Sequence, residues 1–207
     1  MRLFLIAALA LLFFSGLGAC AEYSDTAAPG PPDLIIVRRF ATPRRIVTLD
    51  PSLGFSLNRG KSGVPPARRA ASLARATAFI VADTMIQQLR DLGYDAVQSD
   101  EAGPEPDARA LVISGVFRTI NEGHRRRFAA KDASVAASIE VASQMHGAKP
   151  QRLKVLRMDS RQISQQSGMH REQGLSSAAM RLGGGIAHEI AELAHRANGS
   201  VRRHEEG

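Results

Sequence analysis

Between residues 133 and 141, Ala133, Val135, Ala137, Ile139 and Val141 alternate with Ser134, Ser138 and Glu140. Successive side chains of a strand point to opposite faces, so this spacing predicts a strand with one apolar and one polar face. A half-exposed strand belongs in a sheet that is covered on one side. The flanking segments fit that sheet. Residues 110–120 also alternate and end at the turn Asn121-Glu122-Gly123. Gly147-Ala148-Lys149-Pro150 reads as a hairpin turn, and residues 153–158 as the last strand. These three strands form an antiparallel meander.

Upstream, Leu34-Ile35-Ile36-Val37 is a compact, mostly β-branched run and reads as a buried strand, with Ile46-Val47-Thr48-Leu49 as a second short one. Residues 50–64 are a loop rich in Gly, Ser and Pro. Pro65 and Pro66 suit a helix start, and Gly93 suits its C-terminal cap. Leu73, Val81, Met85, Leu89 and Leu92 lie on one side of that helix at 100° per residue, as a core-facing stripe. Residues 94–99 read as a strand, 101–107 and 160–174 as loops, and about 175–198 as a last helix ended by Gly199. Strand, helix, strand favours a right-handed parallel crossover. The predicted fold is therefore α/β: one two-layer domain over residues 33–199, a mixed sheet of about five strands with two long helices on one face. Residues 200–207 read as a loose tail.

The first 32 residues differ in kind. Met1-Arg2 is a short basic start, and residues 3–14 form an unbroken apolar run of 12. A bilayer-spanning helix needs about 20 apolar residues, so the run reads as the core of a signal peptide. Leu17-Gly18-Ala19-Cys20 follows, and Cys20 is the single cysteine. This tetrad resembles the lipobox of bacterial lipoproteins. The resemblance implies lipidation of the Cys20 thiol, removal of residues 1–19 and acylation of the new amino group, palmitate being one such chain. Several acyl chains anchor a protein firmly where one does so marginally. Ala21 follows Cys20, and by the same resemblance a non-Asp residue there favours the periplasmic face of the outer membrane. Residues 21–32 are small, polar and proline-bearing and read as a tether. Twelve residues fully extended reach about 40 Å.

The chain carries a formal charge of +7. A strongly basic chain suits a polyanion. Export disfavours nucleic acid and leaves anionic lipid, lipopolysaccharide phosphates or an acidic protein. With Cys20 acylated no thiol remains, so disulfides, thiolate metal sites and cysteine nucleophiles are excluded. Trp is absent and Tyr occurs twice, which argues against a carbohydrate-stacking platform.

Apparent catalytic motifs fail on spacing. Between Gly54 and Gly60 stand five residues where a phosphate-binding loop has four, and Gly63, Pro65 and Pro66 separate Lys61 from the next helix. No Gly-x-Ser-x-Gly elbow occurs. His188-Glu189-Ile190-Ala191-Glu192 resembles a zinc-binding His-Glu-x-x-His with Glu192 in the place of the second His. His188, Glu192 and His195 share one helix face, but Leu182, Ile186, Ile190, Leu193 and Ala197 share the opposite one, so the trio is expected to face solvent and to hold no metal. Gly183-Gly184-Gly185 interrupts a helical pattern as a break, a close packing point or a hinge. Two patches remain as candidate contacts. Arg125-Arg126-Arg127 follow a turn and could fork onto an anion. Phe79 and Ile86 lie seven apart, off the stripe of the first long helix and flanked by Arg75 and Arg90, as a candidate partner surface.

Thr48-Leu49-Asp50-Pro51-Ser52-Leu53-Gly54, Gln88-Leu89-Arg90-Asp91-Leu92-Gly93-Tyr94, Ala110-Leu111-Val112-Ile113-Ser114-Gly115-Val116-Phe117 and Ile120-Asn121-Glu122-Gly123 together resemble the bacterial lipoproteins grouped as domain of unknown function 4410. The likeness covers about residues 33–141. It implies an α/β envelope lipoprotein and supplies no catalytic residues and no cofactor. The layout is also similar to small domains of periplasmic assembly proteins. The resulting expectation is a membrane-anchored, non-enzymatic binding or assembly factor with a protein partner or a second copy in the envelope. The alternative is an envelope hydrolase or metal-binding protein built on the histidines of the last helix.

Overall fold

The chain enters its sheet at β1 (Leu34–Arg38) and continues through β2 (Val47–Thr48), α1 (Pro66–Asp91), β3 (Ala96–Ser99), β4 (Ala110–Asn121), β5 (Ser134–Gln144), β6 (Gln151–Asp159), α2 (Ser160–Ser167) and α3 (Leu175–Glu205). These elements come from a computed structural model, which describes residues 32–50, 64–99, 109–124, 132–167 and 174–205. The strand order is β3-β1-β4-β5-β6, with β2 also paired to β4. β1 runs parallel to both neighbours, with Ile36 level with Val97 on one side and Val112 on the other. β4, β5 and β6 are antiparallel. The predicted mixed sheet and two-layer α/β arrangement are thus present, with six strands counting the two-residue β2.

One lane of backbone flanks β4 for most of its length. After β1, the Ala41 N–H donates to the Gly115 carbonyl at 2.8 Å, and the Phe117 N–H donates back to Ala41 at 3.0 Å. β2 then pairs with Ile120 and Asn121. Between Ala41 and β2, Pro43 offers no N–H to a ladder and Arg45 takes a left-handed φ of 67°. The lane therefore reads as separate short strands.

Alternation sorts the sheet's two faces. Ile35 and Val37 of β1, Ile113 and Phe117 of β4, and Val135 and Ile139 of β5 are fully buried or nearly so. They join one core cluster with Val81, Met85 and Leu89 of α1 and Leu182, Ile186 and Ile190 of α3. Both long helices thus lie on one face. Phe40 lies over Gly115, where an added Cβ would stand 2.3 Å from its ring, and it meets the Phe117 ring at 5.4 Å between centroids. On the opposite face, Ile36, Ala110 and Val112 form a second, small cluster.

α1 closes on a Schellman motif. Gly93 sits at φ 87°, its N–H reaches the Arg90 carbonyl at 2.9 Å, and the Tyr94 N–H reaches Leu89 at 3.0 Å. Leu92, expected in the core stripe, is 55% exposed. As the capping residue it has left the helical path, so the 100° projection no longer places it.

Two segments differ from expectation. Residues 160–167, predicted as loop, form α2. Asp159 caps it: its Oδ1 accepts the Arg161 backbone N–H at 2.9 Å. The Ser160 hydroxyl, fully buried, accepts the Val135 N–H at 3.1 Å and ties the helix start to β5. The last helix passes through Gly199 and ends at Glu205, so residues 200–205, predicted as a loose tail, are helical. A glycine inside a helix weakens it by about 1 kcal/mol but does not by itself end it.

Candidate functional site

A concavity lies along α3, between α1, α2 and the end of β6. α3 carries Gly183-Gly184-Gly185 there without a break. A Cβ on Gly183 would stand 2.6 Å from the Val81 carbonyl oxygen of α1. One on Gly184 would meet the Gln88 side-chain amide at 2.9 Å, and one on Gly185 would meet the Ile163 Cδ1 of α2 at 2.6 Å. Of the three sequence-level readings, close packing is the one present. Gly183 lets the α1 and α3 backbones approach, and Gly185 seats Ile163. The missing side chain at Gly184 leaves a saddle of about 640 Å³. Thr84 and Gln88 wall it on the α1 side, and Met158 and Ile163 on the other; Met180, Arg181, His188 and Glu189 flank it along α3. Glu189 is held from outside, by Lys154 Nζ of β6 at 3.4 Å.

The histidine trio stands on solvent-facing turns of α3. The His188 side chain is 74% exposed, and its Nε2 lies 3.3 Å from Glu192, which also takes Arg196 at 3.0 Å. His195, exposed, does not join them: its ring meets Tyr94 edge-on at 6.3 Å. Burial raises the Tyr94 phenol pKa above its ordinary value. Its hydroxyl donates to the Ala191 carbonyl at 3.4 Å. Among the described residues no three His, Cys, Asp or Glu side chains converge as a metal site would require.

The proposed surface on α1 does not exist as one patch. Phe79 is 63% exposed, but Ile86 is only 7% exposed and belongs to the core. The helix lies against the sheet and against α3 together, so its covered arc is wider than the single stripe read from the sequence. Arg90 is exposed, but its Nε is committed to the Ala96 carbonyl of β3 at 2.9 Å. Arg75 remains exposed. Cys20, with Leu17, Gly18 and Ala19, and Arg125, Arg126 and Arg127 lie outside the described residues.

A charged corner went unread in the sequence. The buried Glu122 carboxylate accepts the Asp50 backbone N–H at 3.0 Å and pairs with the Arg69 guanidinium. It joins the end of the β2 lane, the end of β4 and the first turns of α1. The motif fragments around Asp50 and Glu122 are thus partners in space, a placement their 72-residue separation hides.

No protein-family model matches the chain, and no curated protein matches it. Among solved structures, the chain resembles one described as a neuraminyllactose-binding hemagglutinin homolog from Helicobacter pylori. That likeness has TM-score 0.34 and 10% identity, over 84% of this chain and 94% of that one. It is too slight to bear on function.

Proposed function

We propose that this protein is a lipid-anchored lipoprotein of the bacterial outer membrane, facing the periplasm, that binds another protein or a second copy of itself and catalyses no reaction. The reading keeps the likeness to the lipoproteins of domain of unknown function 4410. The observation that carries it is the order of basic start, 12-residue apolar run and Leu17-Gly18-Ala19-Cys20, followed by a fold that begins at Asp33. Twelve residues between the acylated cysteine and the first sheet contact let the domain stand clear of the headgroups. The saddle over Gly184 supports binding. Its volume is that of a ligand or side-chain pocket, and it sets apolar Met158, Ile163 and Met180 beside polar Gln88, Arg181 and His188.

The anchor is tested by Cys20→Ser. The expected outcome is release from the membrane fraction or stalling as an uncleaved precursor. A Cys20→Ser protein that is cleaved and still sediments with membranes like the wild type sinks the anchor. A photo-crosslinker placed at Met180 in intact cells tests the saddle, and the expected product is one discrete adduct.

A further inference from the structure

The helices cover one face of the sheet, and the opposite face differs along its length. At one end Ile36, Ala110 and Val112 are buried. Toward the other end the face is open. In register across β4, β5 and β6 stand Ser114, Glu140 and Val155, then Val116, Ser138 and Arg157. Val116 and Val155 are 44% and 51% exposed. A bulge in β4 between Phe117 and Thr119 adds a cation. With Phe117 and Ile120 both turned to the core, Arg118 and Thr119 are both exposed on this face. The acids here are already matched. Glu140 holds Arg152 at 2.9 Å, and Asp159 holds Arg161 at 2.7 Å. Arg157, together with Arg118, whose charge also reaches Asp159, leaves the face net positive. Between them β5 contributes only small side chains, Ala136 and Ser138, so the surface is shallow.

We propose that this open sheet face, through Arg118, Arg157, Val116 and Val155, docks the domain onto an anionic phospholipid surface. A flat, basic face with isolated apolar side chains suits headgroup phosphates above and the acyl boundary below. Protein interfaces are enriched in aromatic anchors, and none of the residues named on this face is aromatic. Each arginine near an anionic membrane strengthens binding about fivefold. The idea deepens the anchored reading and rests on it for its place in the cell, yet its test uses no anchor.

The chain from residue 21 onward, with Cys20 removed, keeps the whole described fold and serves as the probe. It is mixed with vesicles of phosphatidylglycerol and phosphatidylethanolamine, or of phosphatidylcholine alone. Co-sedimentation with the anionic vesicles only, abolished by 0.5 M salt, is expected. Arg118→Gln with Arg157→Gln should weaken it at least tenfold with unchanged circular dichroism. Because the chain has no Trp, a single introduced indole reports on its own position. Val155→Trp should shift to the blue and be quenched by brominated lipid, while Met180→Trp, on the helical layer, should not. Equal binding to both vesicle types, or a response at Met180→Trp but not at Val155→Trp, overturns the proposal. So does binding to poly-glutamate without binding to anionic vesicles, which would mark the face as a site for an acidic polypeptide. Failure in any of these leaves the anchor to its own fractionation test.

Discussion

Asp159 shows how much one side chain can organise. It ends β6, caps α2 through the Arg161 N–H, and receives the Arg161 guanidinium at 3.1 and 2.7 Å. Burial pushes its carboxyl pKa up. The hydrogen bonds from Arg161, with the charges of Arg161 and Arg118, outweigh burial and hold it below the ordinary carboxylate value. A folded-state pKa below the unfolded one stabilises the protein above the unfolded pKa, near 4, and that contribution disappears as pH falls through the folded value. The group is partly exposed, so water screens the ion pair and its contribution is modest. Asp159→Asn keeps a capping oxygen for the Arg161 N–H but loses the charge paired with Arg161, so it should cost at most about 1 kcal/mol at pH 7. The difference from wild type should shrink as chemical unfolding is repeated at pH 4 and then pH 3. A gap that stays constant with pH would assign the loss to the changed shape and donors of the amide and not to the carboxylate charge. Glu122, just past the C-terminal end of β4, likewise unites three elements, accepting the Asp50 N–H and pairing with Arg69. Neither residue stands out in the sequence: Asp159 follows an apolar-alternating strand, and Glu122 sits in an apparent turn. Asp159 followed by Ser160 and Arg161 is an N-cap signal that could have revealed α2.

Among the elements, α3 is the most informative. Its three consecutive glycines do three different things, and substitutions separate them. Gly183→Ala would press a methyl onto the α1 backbone at Val81, which cannot rotate away. Overpacking of this kind costs about 1–3 kcal/mol, against about 1 kcal/mol gained in helix propensity. Net destabilisation is expected. At Gly184 the nearest atoms are the far end of Gln88, a flexible side chain that can swing aside. Gly184→Ala should therefore leave stability unchanged or raise it by up to about 1 kcal/mol while shallowing the saddle. Denaturant midpoints of the two variants measure this directly, and equal shifts would show that helix propensity rather than the α1–α3 approach governs both sites. The same element explains the failure of the Phe79–Ile86 surface. A stripe drawn at 100° per residue assumes one covered direction. α1 has two, toward the sheet and toward α3, and Ile86 falls within the widened arc.

For the whole molecule, one core cluster includes side chains from both long helices and from β1, β4, β5 and β6. A core shared in this way should not melt in parts. Thermal unfolding followed by far-ultraviolet circular dichroism and by calorimetry is expected to give one transition, with van't Hoff and calorimetric enthalpies equal. Two separated transitions would mean that the meander and the β1–α1–β3 half are independent units. No helix among the described residues is long and apolar enough to cross a membrane.

The order of the strands and the two long helices, the bounds of α1 to within a residue or two, the alternation of β4 and β5, and the outward turn of His188 were all present in the sequence. Each depends on residues within about four positions, through period, cap or turn, and such information survives in a linear string. The burial of Ile86, the division of labour among Gly183, Gly184 and Gly185, and the meeting of Asp50, Arg69 and Glu122 were decided by the tertiary structure. So was the face on which Arg118 and Arg157 stand together. These features are contacts between segments tens of residues apart, or depend on a bulge that shifts a register by one. Side-chain spacing along one segment has no knowledge of what packs against it.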